Sequence, residues 1–233
     1  MSEPQTGLWL VFQQIGAVLR KELAVELKHS SRISGVFFFA LALLVMVAFA
    51  SPHTSTLREQ AGGTLWIGLL LASTRALDQS YATEHEHGTM EGMVLWPVEP
   101  WALFYGKALA NTLLLSLVAF GLLPLLIAIF DVPVHGNPST LIAFTVLGCA
   151  ALAAPGTLHG LIASQARGSS VLLPLLLFPL VVPAMMAAAR GTTLVFEGDA
   201  MGDSILWLQL LGGFNVLHWS LSGLLYGRIV EDS

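Results

Sequence analysis

The titratable side chains of this chain concentrate in one polar stretch, residues 75–107. A third of the acidic residues lie there, namely Asp78, Glu84, Glu86, Glu91 and Glu99. His85 and His87 alternate with two of these carboxylates, and donors so close together could hold a metal ion. Side chains two residues apart, however, share a face on a strand but not on a helix. We therefore interpret the stretch as a solvated polar segment and predict no metal site.

No catalytic signature accompanies these residues. The sequence contains no G-x-x-x-x-G-K-[ST] phosphate loop, no H-E-x-x-H, no C-x-x-C and no G-x-S-x-G. The interiors of its apolar runs also lack the acidic residues that many proton-coupled carriers place inside the membrane, which weighs against a secondary transporter. The chain is therefore predicted not to be an enzyme, and an integral membrane enzyme is the least favoured alternative.

The composition indicates that lipid is the solvent of this chain. Hydrophobic residues make up 55% of the 233 residues and charged residues only 11%, against about 25% charged in an average soluble domain. The mean hydropathy is +0.75. No basic patch is available for nucleic acid, and the single Cys149 excludes an internal disulfide framework.

Six apolar runs predict six membrane-spanning helices, because a helix needs about 20 apolar residues to cross the hydrocarbon core. The runs cover residues 33–50, 61–78, 102–130, 140–165, 169–189 and 205–227. The first run could instead be a cleaved signal peptide, but it is too long and begins too far from the N-terminus. The prediction is an all-α integral membrane protein with a single transmembrane domain over residues 1–233.

Residues 7–29 predict a further helix that precedes the spans. Its apolar residues recur at steps of three and four, namely Leu8, Phe12, Ile15, Leu19, Leu23 and Leu27. Such a pattern is typical of an amphipathic helix that lies in the plane of the membrane interface, with its lysines and arginines toward the lipid headgroups. The alternative is a helix that packs on a soluble partner.

The distribution of lysine and arginine predicts that both termini are cytoplasmic. In this orientation the cytoplasmic side holds Arg20, Lys21, Lys28, Arg32, Arg75, Lys107, Arg167 and Arg228, and the outer side holds Arg58 and Arg190. Eight basic residues against two follow the positive-inside rule. An even number of spans returns the C-terminus to the side of the N-terminus, and the loop from Arg190 to Ser204 is predicted to face outward.

Prolines interrupt two of the predicted spans. Pro155-Gly156 lies in span four, and Pro179 and Pro183 lie in span five. Each proline removes a backbone hydrogen bond and is predicted to break or kink the helix, either as a hinge or for packing. The freed carbonyls need protein or water partners in lipid, so both spans are predicted to pack against protein.

Three motifs resemble one family of membrane proteins. The first motif is Gly88-Thr89-Met90-Glu91, followed by an apolar run to Pro97 and then by Lys107 and Asn111. The second motif is Ala154-Pro155-Gly156. The third motif consists of Arg167-Gly168, Leu172, Leu175, Pro179-Leu180 and Pro183. In order and spacing they resemble the CcmB family, the permeases of the haem exporter in cytochrome c maturation. Two features depart from the family: Trp96 precedes Pro97 where a small aliphatic residue is usual, and residues 84–87 are more polar.

The resemblance implies a half-size permease of the type-2 ABC exporter fold in the bacterial inner membrane. Two copies would pair with two cytoplasmic ATPase subunits (CcmA-like), beside a haem-handling membrane subunit (CcmC-like) and a small membrane subunit (CcmD-like). The periplasmic partner would be a haem chaperone (CcmE-like). ATP would bind in the ATPase, and haem would be handled by the complex, with no cofactor assigned to this chain.

The resemblance also implies roles for individual residues. Residues 79–98 would form a cytoplasmic coupling segment between spans two and three, seated on the ATPase through Glu84, Gly88, Thr89, Met90, Glu91, Gly92 and Pro97. His159 and His218, inside spans four and six, are either haem or substrate contacts or packing histidines bonded within the protein. The alternatives are an ABC permease for a lipid, drug or polysaccharide, and a membrane scaffold that transports nothing.

Overall fold

The structure, a computed structural model, describes residues 8–28, 31–86, 99–165 and 172–231. Every regular element in these ranges is an α-helix. The helices are α1 (Leu8–Lys28), α2 (Ser31–Ala50), α3 (Thr54–Glu86), α4 (Pro100–Phe130), α5 (Pro138–Gln165), α6 (Leu172–Glu197) and α7 (Ser204–Glu231). The prediction of an all-α protein is confirmed.

Four helices in the described ranges are long and apolar enough to cross a membrane, namely α2, α4, α5 and α6. Two other long helices, α3 and α7, correspond to predicted spans two and six but are more polar. Charged residues at both ends dilute the apolar middle of α3, and α7 carries Gln209, Asn215 and His218 along its length. Length and composition alone therefore support a multi-pass membrane protein with at least four candidate spans.

Three connections of the helices meet at one end of the molecule, namely residues 51–53, 131–137 and 198–203. The Arg58 guanidinium near the start of α3 donates to the backbone oxygen of Asp131, which follows α4, at 2.7 Å, and also pairs with its carboxylate. The backbone N–H of Gly136, before α5, donates to the carbonyl of Val195 near the end of α6. Short loops of this kind join antiparallel neighbours.

Helix α5 lies at the centre of the bundle and packs against α3, α4, α6 and α7. In the most apolar stretch of α5, 72% of the residues are buried inside the protein. The corresponding share is 17% for α2, which packs only at the periphery. Trp66 of α3 joins the central helices: its Nε1–H donates to Thr192 Oγ1 of α6 at 3.0 Å, and its ring fills the space left by Gly148 of α5. Close approach at a glycine is typical of helix packing in membranes.

The prediction that prolines break spans four and five is wrong. Helix α5 continues through Pro155, and α6 continues through Pro179 and Pro183. A proline removes one hydrogen bond, and the flanking bonds hold the helix together where neighbouring groups can compensate. Both helices pack against protein as predicted, since α5 and α6 contact each other and α6 also contacts α3 and α7, although the side chains of Pro179 and Pro183 themselves are exposed.

Two helices are longer than the apolar runs suggest. Helix α6 ends at Glu197 rather than at residue 189, so Arg190 lies in the helix and the loop that follows begins at Gly198. Arg190 is exposed, and long arginine side chains in membrane helices can extend their charge toward water. Helix α3 continues to Glu86 because residues 69–87 contain no glycine or proline, so residues 79–86 extend α3 rather than forming a separate element.

Helix α1 packs against α4 through a face that the apolar pattern does not indicate. Phe12, a member of the predicted stripe, is 69% exposed. Among the α1 side chains whose burial the structure describes, the buried ones are Val18, Glu22 and Glu26, which recur every four residues and so share one face. Two of these three are carboxylates, so α4 must supply polar compensation.

Candidate functional site around the start of helix α4

The residues predicted to contact an ATPase lie between α3 and α4. Glu84 is in the last turn of α3. The other predicted contacts lie outside the described residues, and these are Gly88, Thr89, Met90, Glu91, Gly92 and Pro97. The structure does describe both helices that flank this segment, and the following contacts join these two helices to the rest of the bundle.

The α3 flank meets α5 at Gly156. Leu77 of α3 is buried, and a Cβ atom at position 156 would overlap its Cδ1 atom. A larger residue at this position would force the buried Leu77 side chain to shift, so Gly156 is where this side chain packs directly on the backbone of α5. The sequence motif Pro155-Gly156, predicted to serve as a hinge or for packing, packs at its glycine against α3, the helix that precedes residues 87–98.

The α4 flank meets α5 one residue further on. Asn111 Nδ2 of α4 donates to Thr157 Oγ1 of α5 at 3.0 Å, and the Thr157 hydroxyl donates to the Ala153 carbonyl at 2.7 Å. Both side chains are buried. A buried polar pair is stable only when its hydrogen bonds are made, so it specifies one register of α4 against α5. Two neighbouring residues of α5 thus contact both flanking helices.

Helix α1 closes the other side of α4. A Cβ atom at Gly106 would lie 2.6 Å from Val18 Cβ and 3.1 Å from the Ile15 carbonyl oxygen. The Glu99 backbone N–H, immediately before α4, donates to Gln14 Oε1 at 3.3 Å. Small residues allow such close helix contacts, and the start of α4 is consequently enclosed between α1 and α5.

A buried ion pair lies at the same interface. Lys107 Nζ of α4 is 3.5 Å from Glu22 Oε1 of α1, and Lys21 Nζ is 3.2 Å from the same oxygen. Lys107 is 1% exposed and Glu22 is 8% exposed. Burial alone would raise the pKa of Glu22, but the positive charges of Lys107 and Lys21 and their hydrogen bonds outweigh burial and lower the pKa below its usual value. Glu22 is therefore ionised near neutral pH.

An aromatic cluster fastens the start of α4 to α7. The rings of Tyr105 and Trp219 stack at 6.2 Å, and Phe104 packs edge-on against Trp219 and at a tilt against Tyr226. The Trp219 Nε1–H donates to the Ala150 carbonyl of α5 at 3.2 Å. Such pairs stabilise beyond the area that they bury, so the first turns of α4 are held from a third side.

The two candidate haem-contact histidines bond within their own helices. His159 Nδ1–H donates to the Pro155 carbonyl at 2.7 Å, and His218 Nδ1–H donates to the Phe214 carbonyl at 3.0 Å. Trp219, the residue after His218, contacts Ala150 of α5. Ala150 and His159 are nine residues apart on α5, which is about 13 Å at 1.5 Å per residue. The structure therefore does not bring the two rings to one site.

Sequence reasoning missed three residues of this region, Glu22, Leu77 and Thr157. One signal was available: Lys107 is a lone cation at the edge of an apolar run, and such a residue needs a partner. Glu22 and Glu26, one turn apart on an otherwise amphipathic helix, were the acidic candidates. No comparable signal marks Leu77 or Thr157, whose types are ordinary in any membrane helix.

Known proteins resemble the chain over most of its length. The family model described as CcmB protein matches residues 13–231. Heme exporter protein B of Pseudomonas aeruginosa is 26% identical over 195 residues, which cover 83% of this chain and 87% of that protein. Heme exporter protein B of Paracoccus denitrificans is 28% identical over 202 residues, 84% of this chain and 91% of that protein. Heme exporter protein B of Rhodobacter capsulatus is 27% identical over 186 residues, which cover 79% of this chain and 85% of that protein.

Proposed function

The chain belongs to the CcmB family, and we propose that it is the permease subunit of an ABC-type complex in cytochrome c maturation. A separate ATPase subunit supplies the energy of ATP hydrolysis. The complex uses that energy to export haem or to release the haem-loaded periplasmic chaperone. The names of the relatives, Heme exporter protein B, support the assignment to haem handling.

One observation carries the coupling role: both helices that flank residues 87–98 meet α5 at adjacent residues. Leu77 of α3 packs on Gly156, and Asn111 of α4 bonds to Thr157. A displacement of the segment between α3 and α4 therefore acts on the central helix from two sides. Packed interfaces pass on such a displacement because they cannot deform continuously.

The coupling segment, residues 79–98, is proposed to sit on the ATPase. Glu91 pairs with a basic residue of that subunit, and Gly88 allows close approach of the backbone. ATP binding shifts the ATPase, and the segment passes the shift to α3 and α4. Pro155, which lacks an N–H, leaves α5 one backbone bond short beside the contact and makes it easier to bend there.

The proposed assembly follows the family. Helices α2 to α7 form six spans in the bacterial inner membrane, and both termini face the cytoplasm. Two copies of the chain pair with two CcmA-like ATPases, and CcmC-like and CcmD-like membrane subunits complete the complex. A CcmE-like chaperone docks from the periplasm. ATP occupies the ATPase, haem is cargo, and the exposed face of α6 with Pro179 and Pro183 is free to contact lipid or another protein of the complex.

The first test is affinity purification of the tagged chain from its native membrane in mild detergent, with partner identification and a haem spectrum. We expect an ATPase together with haem-handling subunits. Recovery of an ATPase without them would favour a permease for a lipid, drug or polysaccharide. Recovery of no ATPase would contradict the coupling role and favour a scaffold.

The second test separates docking from transmission. Gly88→Trp and Glu91→Lys should abolish association with the ATPase. Asn111→Leu should leave association and ATP hydrolysis intact but lower cytochrome c production, because it removes the bond to Thr157. Leu113→Ala, at an exposed position of the same helix, is the control. If Gly88→Trp and Glu91→Lys retain full association and cytochrome c production, residues 79–98 do not form the ATPase contact.

A further inference from the structure

We propose that α1 is clamped to the start of α4 through the buried Glu22–Lys107 ion pair, so that the two helices move as one body. Glu22 and Lys107 are then positioning residues that keep a displacement of the coupling segment from being lost at the beginning of α4. This inference rests on the proposed coupling function and adds a part to it, since neither α1 nor the ion pair belongs to the route through α5.

Three contacts distributed along both helices support a rigid clamp. Gln14 bonds to the backbone at Glu99, Val18 packs on Gly106, and Glu22 pairs with Lys107. Residue numbers rise together on the two helices, so the segments run in the same direction. Eight residues separate the first and last contacts, about 12 Å on a helix. Contacts over such a length prevent α1 from pivoting about any single one of them.

The charges make separation of the two helices costly. Lys107 and Glu22 are both buried, at 1% and 8% exposure. Removing Glu22 would deprive the buried Lys107 of this carboxylate, and removing Lys107 would leave Glu22 paired with the more exposed Lys21, so either loss is costly. Pulling α1 from α4 would expose both groups to an apolar or interfacial environment at once. The pair therefore favours joint movement of α1 and α4 over sliding between them.

Helix α1 packs on α4 on one side and is exposed on the other. Among the described helices, α4 is the one against which α1 packs extensively. Trp9 and Phe12, on the outer side of α1, are each 69% exposed, which is suited to contact with lipid at the interface. Because α4 is the extensive partner of α1 among the described helices, α1 can follow a shift at the start of α4 without breaking a second large helix contact.

Charge reversal tests the clamp. We would prepare Glu22→Lys, Lys107→Glu and the double variant, with Arg20→Glu, an exposed charge reversal on the same helix, as the control. The measurements are assembly with the ATPase, ATP hydrolysis, and haem-loaded chaperone released per ATP hydrolysed. We expect each single variant to lower release per ATP about tenfold and the double variant to recover it to within about threefold. Full release per ATP in both single variants would overturn the proposal.

Cross-linking provides a test that does not depend on the folding of the reversed variants. Gln14→Cys and Glu99→Cys, combined with Cys149→Ala, are joined by a short bifunctional thiol reagent. Because the two helices move as one body, the joined protein should keep chaperone release within about twofold of the unjoined protein. Loss of release on joining, restored when a cleavable reagent is reduced, would show that α1 must leave α4 and would contradict the clamp.

The failure of the clamp is distinguishable from failure of the proposed function. If the unmodified chain neither binds an ATPase nor supports chaperone release, the function is wrong whatever the variants do. If the unmodified chain does both, the results of the reversal and the cross-link bear on the clamp alone.

Discussion

At the scale of single residues, Asp199 holds the first turn of α7. Both of its carboxylate oxygens accept the Ser204 backbone N–H, at 3.2 and 3.3 Å. The pKa of Asp199 is lowered from its ordinary value of 3.8, chiefly by the hydrogen bond with the Ser204 side chain. Burial opposes this shift, and the backbone N–H groups of Ser204, Asp203 and Gly202 add to it. Asp199 also has a φ of 44°, a left-handed conformation that aspartate and asparagine tolerate.

The lowered pKa of Asp199 predicts an acid-sensitive contribution to stability. The unfolded chain binds this proton more readily, so the contribution is present above pH 3.8 and is lost as pH falls through the lower folded value. Asp199→Asn should therefore show a smaller loss of thermal stability between about pH 5 and pH 2 than the unmodified protein. The measurement is the unfolding midpoint in detergent. Asp203→Asn removes the same charge and should retain the full acid dependence.

His159 and His218 are predicted to act in packing. Each ring already donates its Nδ1–H within its own helix, and His218 also stacks on Phe214 at 3.8 Å. His159→Ala and His218→Ala should therefore each retain production of c-type cytochromes within about twofold, with somewhat lower unfolding midpoints. A severe loss of c-type cytochromes, with the level of the variant protein unchanged, would instead support a haem contact by that histidine.

At the scale of elements, two adjacent glycines of α3 predict opposite effects of one substitution. A Cβ atom at Gly62 would overlap Thr193 Oγ1 and lie 2.6 Å from the Ala189 carbonyl oxygen, whereas a Cβ atom at Gly63 meets nothing within 4 Å. Gly62 is therefore a point of close approach between α3 and α6, and the backbone atoms there cannot move aside easily.

Gly62→Ala should lower the free energy of unfolding by about 1–3 kcal/mol because it overpacks this contact. Gly63→Ala should leave it unchanged or raise it by up to about 1 kcal/mol, since alanine favours the helix. Unfolding midpoints of both variants in the same detergent measure the difference. Equal midpoints would contradict the α3–α6 register.

At the scale of the whole molecule, the proposed topology places the connections 51–53, 131–137 and 198–203 on the periplasmic side. Met201→Cys, at an exposed position of the last of these, should react with a membrane-impermeant thiol reagent in intact spheroplasts. Arg228→Cys, exposed at the other end of α7, should react only after permeabilisation. The native Cys149 is buried and serves as the unreactive background. The reverse labelling pattern would show that the proposed topology is inverted.

The sequence by itself determined the class of this protein. Apolar runs about as long as a bilayer is thick predict membrane helices whatever their arrangement, and the motifs from Gly88 to Asn111 and at Pro155-Gly156 indicated the family that the comparisons support. Element ends were harder to predict. Helix α6 extends past Arg190 because that side chain is exposed, and exposure cannot be seen in a hydropathy pattern.

Only the tertiary structure decided which polar side chains are buried and with which partners. Asn111 and Thr157 are 46 residues apart in the chain, and Glu22 meets Lys107 across two intervening helices. Periodicity records which residues share a face of one helix, but it does not record which helix that face meets or in what register. The contacts that enclose the start of α4 depend on that register, and they emerge only when α1, α4 and α5 are packed together.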